Sequence, residues 1–157
     1  MGQPNLEDYV AITGVKARYC RFLDTKDWDA YADLFTEDFV LDSVPGQEPI
    51  RGRDAAMKSI RSFVGPAQTA HQVHSPEIDV NGDEAAVIWA MQDRVIGAVG
   101  IDEAAHTGFG HYYERYVRQG GRWRIASLKL RYVIFEREPK AGSQAAGAAP
   151  TMAAVSK

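Results

Sequence analysis

Residues 68–96 read QTAHQVHSPEIDVNGDEAAVIWAMQDRVI, and the fold turns on this stretch. Asn81-Gly82-Asp83 is a strong hairpin signal, because Asn and Gly accept the positive φ angles of a tight turn between twisted strands. The flanks agree with it. Residues 68–80 and 84–96 read as extended, the second rich in the Val, Ile and Trp that suit a half-buried pleat. Downstream, a loop with glycines and acids at 97–105 leads to an alternating aromatic strand at 107–118. Gln119-Gly120-Gly121 turns the chain, and 122–136 returns as a long strand.

Upstream the period changes. Residues 6–24 carry Ile12, Val15, Tyr19, Phe22 and Leu23 on one helical stripe, with Lys16, Arg18 and Arg21 elsewhere. Asn5 is placed to cap this helix, with Glu7 and Asp8 in its first turn. A second short helix follows Asp27, its apolar side made of Trp28, Tyr31, Ala32, Leu34 and Phe35. Residues 39–44 read as a strand that Pro45-Gly46 stops; Gly52-Arg53-Asp54 opens a third helix that Gly65-Pro66 ends. Three helices followed by long hairpins predict an α+β architecture. A strongly curved antiparallel sheet wrapped by those helices would form a cone with an interior pocket.

The chain has 157 residues, which is one domain by size, expected over residues 1–138. The Ala, Gly, Ser and Pro tail at 139–157 has little to bury and is expected to be disordered. With 45% hydrophobic and 25% charged residues, disorder of the whole chain is excluded. The formal charge of −3 and the lack of a basic run speak against nucleic acid as a partner. No apolar run is long enough for a membrane span, and the N-terminus does not read as a signal peptide. A single cysteine, Cys20, fits a reducing cytoplasmic compartment and reads as a buried thiol. Neither metal-ligand spacings nor nucleotide-binding glycine motifs occur, so no metal and no cofactor is expected.

Several short marks occur in a telling order: residues 19–29 (YCRFLDTKDWD), residues 34–38 (LFTED), Gly52-Arg53-Asp54-Ala55, Thr69-Ala70-His71, the turn at 81–85 and Gly121-Arg122-Trp123-Arg124-Ile125. Together they resemble a SnoaL-like domain of the nuclear transport factor 2-like superfamily, over residues 6 to about 136. The resemblance implies the α+β cone. Relatives in that superfamily include scytalone dehydratase, a bile-acid dehydratase, ketosteroid isomerase, polyketide cyclases and non-catalytic binding or assembly domains. The first two are nearest in polar pattern. The bile-acid dehydratase site uses a Tyr and an Asp five residues apart on the first helix, then a His, a second Asp and a late Arg. Tyr19, Asp24, His71, Asp93 and Arg131 fall at the matching places. A second histidine, which scytalone dehydratase has near the Asp93 position, is missing here. The superfamily habit of pairing through the open sheet face implies a homodimer or trimer.

Read on their own chemistry, these residues leave alternatives open. Asp24 sits near the negative end of a helix dipole, which is unfavourable by up to about 1 kcal/mol. It either turns the chain or orients a histidine. Tyr19 is either a core residue or a phenol aimed into the pocket. His71 and His74 are three apart in a strand and so face opposite ways; the resemblance selects His71. Alternation groups Trp89, Met91 and Asp93 on one face, a candidate pocket wall where desolvation would suit a carboxylate for proton transfer. It also groups Gly110, Tyr112 and Glu114, with Tyr112 expected in the pocket and Glu114 paired with Arg115 at the surface. His111 would face inward only across a bulge, and His106 is expected to be exposed. Trp28 and Arg131 complete the substrate-binding set.

The leading expectation is a cofactor-independent lyase acting by acid–base elimination on a small, apolar, oxygenated aromatic or polycyclic molecule. Water or formaldehyde would be lost. His71, steadied by Asp24, would move the proton, Tyr19 would polarise the substrate oxygen, and Asp93 would be the second acid or base. An isomerase or cyclase could use the same set. A non-catalytic binding domain would leave His71 and Asp24 apart.

Overall fold

The computed structural model describes residues 2–141. Most of the tail expected to be disordered, residues 142–157, lies outside the described residues. Helix α1 (Leu6–Thr25) starts where Asn5 accepts a hydrogen bond from the Asp8 backbone at 2.8 Å. It ends in a left-handed residue, Lys26 (φ 61°). The Lys26 N–H turns back to Leu23 O, and the Asp27 N–H to Phe22 O, which closes the last turn and fixes where the chain leaves. Helix α2 (Trp28–Ala32) follows at once.

Strand β1 (Phe35–Asp42) begins four residues before the expected Phe39, and Phe35 belongs to it rather than to α2. Phe35 has no exposed surface and lies opposite Ile125 in a parallel pairing, so tertiary burial decides its state over helical spacing. Val44 lies outside the strand, and a two-residue strand β2 (Ile50–Arg51) pairs with Val40 and Leu41. Helix α3 (Arg53–Val64) precedes β3 (Gln68–Asn81), β4 (Glu84–Ile96), β5 (Ala105–Gln119) and β6 (Arg122–Glu138). The sheet order is β2-β1-β6-β5-β4-β3, antiparallel throughout except for β1 against β6.

Strands of 13 to 17 residues in β3–β6 are long enough to curl, and three register breaks sharpen the bend. One sits between His74 and Glu77, where Ser75 has φ 48°. A second leaves Val133 as an extra residue of β6, which brings Phe135 onto the same face as Tyr132. The concave face carries Val87, Trp89 and Met91 of β4, Tyr112 and Tyr116 of β5, and Ile125 and Leu128 of β6. The buried stripe of α1, from Ile12 through Leu23, packs on it.

Glu114, expected at the surface, and Lys16, set apart from the apolar stripe, are both in the core. Lys16 and Glu114 side chains have no exposed surface, and Nζ lies 2.5 Å from Oε1. The alternation that turns Tyr112 inward turns Glu114 inward too, and Lys16 is one helical turn from both Ile12 and Tyr19. The ammonium lies 3.7 Å from the ring centroids of both Tyr19 and Tyr112, and the Tyr116 hydroxyl donates to the other Glu114 oxygen at 2.7 Å. Burial pushes the Lys16 pKa down, against the pull of Glu114. Among the described residues, no helix is long and apolar enough to cross a membrane.

Candidate active site

The turn that ends α1 sets Asp24 against β3. Its Oδ1 lies 2.7 Å from His71 Nδ1 and accepts from Thr69 Oγ1 at 2.9 Å; its Oδ2 accepts from the His71 backbone N–H at 2.8 Å. Lys26 Nζ in turn donates to Thr69 Oγ1 at 2.9 Å. Here is the compensation that a carboxylate at a helix C-terminus requires. Partial burial alone would push the Asp24 carboxyl up; the bonds from the His71 side chain and backbone and from Thr69 outweigh it and hold the pKa below its ordinary value. Asp24 is therefore ionised at neutral pH and can only accept. The proton of a neutral His71 then sits on Nδ1, and the Nε2 lone pair is left for chemistry.

The depressed Asp24 pKa has a sign in the stability. Its contribution is complete above the ordinary value of 3.8 and is lost as pH falls through the lower folded value. Asp24→Asn should lack that component, so its urea midpoint should fall less than the wild type's between about pH 4 and pH 2. Parallel pH curves would show that the bonds to Asp24 contribute nothing.

His71 lines a cavity of about 900 Å³ between the concave sheet, α1 and α3. Its walls are largely apolar, with Leu23, Leu41, Ile60, Val95, Leu128 and Leu130 among them. His71 and Asp93 are direct cross-strand partners and both line it, as do Tyr19 and Tyr112. Desolvation raises the pKa of Tyr19, Tyr31 and Tyr112 well above normal, so all three remain phenol donors. The Tyr31 hydroxyl is buried against the Tyr19 hydroxyl, with which it interacts, and both residues line the cavity.

Asp93 is only 3% exposed, and both its oxygens are occupied. Oδ1 accepts from the Gly108 N–H at 3.1 Å and Oδ2 from the Tyr132 hydroxyl at 2.5 Å. Burial first, and the Asp93 charge next, push the Tyr132 pKa up, so that proton stays on the phenol. Gly108 makes this pairing possible, since a Cβ there would overlap the Tyr132 ring and crowd Asp93. Gly108→Ala should cost about 1–3 kcal/mol by overpacking. An unchanged urea midpoint would contradict the close approach.

Five sequence-selected binding residues lie outside the cavity lining. Trp89 and Met91 are 3% and 2% exposed and belong to the solid core. Trp28 packs edge-on to Tyr31 at 6.2 Å, with Lys26 and Arg61 over its ring. His111 faces the convex side with Tyr113, because the nearby register break adds its residue to β6 and leaves the alternation of β5 intact. Arg131, opposite His111, shares that side and holds Asp42 at 2.7 Å. Cys20 is partly buried, and burial pushes its thiol up to about 11.

His106 reverses its expectation. It is 3% exposed, lines the cavity, and meets Glu103 Oε1 through Nδ1 at 2.9 Å. The arginine at the cavity is Arg137, whose Nε lies 2.9 Å from Glu103 Oε2. Placing Tyr132, Phe135 and Arg137 required the β6 bulge, whose sequence signal lies on the facing strand in Gly108 and Gly110, where a Cβ would collide with Tyr132 and Arg131. Among the described residues no group of three or more His, Cys, Asp or Glu is placed to hold a metal ion. A smaller hollow of about 370 Å³, lined by Asp38, Asp83, Arg115 and Arg118 among others, has no histidine or tyrosine.

The curated "Probable cyclase FGR4" of Gibberella zeae is 28% identical over 127 residues, covering 73% of this chain and 84% of that protein. The solved "Putative Scytalone Dehydratase" of Novosphingobium aromaticivorans superposes with a TM-score of 0.72 at 24% identity, covering 89% of this chain and 97% of the other. A hexachlorocyclohexane dehydrochlorinase of Novosphingobium barchaimii also gives 0.72, at 19% identity, covering 92% and 97%. The SnoaL-like domain model matches residues 4–129, and the chain belongs to that family.

Proposed function

We infer that this protein is an acid–base lyase that removes water from a hydroxylated aromatic or polycyclic molecule. The observation that carries the reading is the Asp24–His71 pair opening into a large, mainly apolar cavity. His71 Nε2 takes the proton from a carbon next to the one bearing the leaving hydroxyl. The C–H electrons form the new double bond as the C–O bond breaks. Asp24 stabilises the imidazolium, which returns its proton to the departing oxygen, so water leaves and the histidine is restored. Tyr31 and Tyr19, whose hydroxyls meet in the cavity wall, are placed to donate to the substrate oxygen. Asp93, as a carboxylate held by Tyr132 and Gly108, positions a substrate hydroxyl rather than supplying a proton.

The dehydratase and dehydrochlorinase names among the structural neighbours support elimination as the reaction class. A second reading has one specific support, the cyclase name of the curated relative. There the same base would remove a proton so that the carbanion closes a ring within the substrate. The test is incubation with a panel of hydroxylated tetralones, decalins and steroid-like alcohols, read by mass spectrometry. Loss of the mass of one water, absent in His71→Ala, supports the lyase. A ring-closed product of unchanged mass selects the cyclase. No conversion across the panel, with the compounds bound, contradicts both.

A further inference from the structure

We propose that the cavity holds a second substrate-binding group, His106 Nε2, which accepts a hydrogen bond from a hydroxyl at the far end of the substrate. The inference deepens the lyase reading and rests on it. His106 stands two residues along and two strands across from His71, since Val95 opposes it and Asp93 opposes His71. Strand spacings put the two Cα atoms on the order of 12 Å apart. A molecule touching both therefore has polar groups at two ends of an apolar body.

The chemistry of the far group follows from its partners. Glu103 Oε2 accepts from Arg137 Nε at 2.9 Å, so the carboxylate serves as an acceptor on that side. A carboxylate only accepts, so His106 Nδ1, 2.9 Å from Glu103 Oε1, carries the ring proton. Nε2 of the neutral ring is then an acceptor, and nothing among the described residues bonds to it. It selects a donor, a phenol or alcohol hydroxyl, over an ether or a ketone.

The ring is held firmly. It stacks on Phe135 with centroids 4.7 Å apart and planes 33° apart, and Phe135 itself lines the cavity. Glu103 is fixed through its loop. Gly97 N–H bonds to Ala104 O at 2.9 Å, Val99 N–H to Phe63 O at 3.0 Å, and Ala104 N–H to Glu138 O at 2.8 Å. A buried histidine serving only to tie down this loop would be indifferent to what fills the cavity.

The test uses three probes of nearly one shape: 2-naphthol, 2,6-dihydroxynaphthalene and 6-methoxy-2-naphthol, titrated calorimetrically into the full chain. One hydrogen bond of about 1 kcal/mol makes the diol bind about fivefold more tightly than the methoxy compound. His106→Phe, which keeps the stack on Phe135, should abolish that preference and leave 2-naphthol affinity within about twofold. Equal wild-type affinity for diol and ether, or a preference that survives in His106→Phe, overturns the proposal. Should that variant not fold, the nitrogen spectrum of wild-type His106 decides. A diol-induced shift at Nε2 supports the proposal, and an unmoved resonance overturns it. Failure of the wild type to bind any probe overturns the aromatic-substrate reading beneath it. Failure of the lyase reading alone shows as intact hydroxyl discrimination with no turnover.

Discussion

His71→Ala retains the fold and turns over its substrate about 10²–10⁴-fold more slowly, the range for loss of a positioned acid–base group. The fold survives because the ring borders a cavity, so its removal enlarges existing space rather than opening a void in solid core. Asp24 keeps its bonds from Thr69 and the residue 71 backbone in the variant. The effect should also be non-additive. Asp24 acts on the substrate only through His71, so Asp24→Ala on top of His71→Ala should change turnover little further. Steady-state kinetics on the compound the screen identifies, with a melting curve beside it, reads both. Near-wild-type turnover in a folded His71→Ala protein removes the residue from the mechanism.

Lys16→Met destabilises the protein by about 3–5 kcal/mol, because it strands the Glu114 charge in a site without water. Met fills much of the lysine's volume, so the loss is electrostatic rather than a matter of packing. The two tyrosine rings at 3.7 Å offer a cation their negative faces and offer Glu114 nothing in exchange. Only the Tyr116 hydroxyl, at 2.7 Å, remains for the carboxylate. Lys16→Met with Glu114→Leu should recover most of the loss, since removing both charges of a buried pair is often neutral. Urea unfolding of both proteins checks it. A Lys16→Met loss below about 1 kcal/mol would mean that water reaches the pair.

The same pair marks where sequence pattern stops being legible. Hairpin turns and the α1 stripe follow local rules with distinct residue signatures, whereas the Asp24–His71 contact, across 47 residues, was implied by the family resemblance. A lysine on a polar-looking helix position and a glutamate beside an arginine have no such signature. Their burial follows from a meeting of elements 98 residues apart. Alternation correctly grouped Trp89, Met91 and Asp93, yet only Asp93 lines the cavity, because the cone narrows and fills solid toward Trp89. His111 and Arg131 went to the convex face because the bulges lie in β6 and shift only that strand's phase. His106 looked exposed beside a glycine-bearing loop, but that loop is pinned to Phe63 and Glu138 and folds over it.

The account stands or falls on Asp24 fixing His71 with its proton on Nδ1 and its free nitrogen toward the substrate. Nitrogen-15 spectra of ring-labelled protein at neutral pH, with and without 2-naphthol, read this directly. The account predicts a pyrrole-type Nδ1 and a pyridine-type Nε2 for His71, with Nε2 shifting when the naphthol binds and the Nδ1 proton lost from its position in Asp24→Ala. A proton on Nε2, or an Nε2 resonance unmoved by a ligand bound in the cavity, would contradict it.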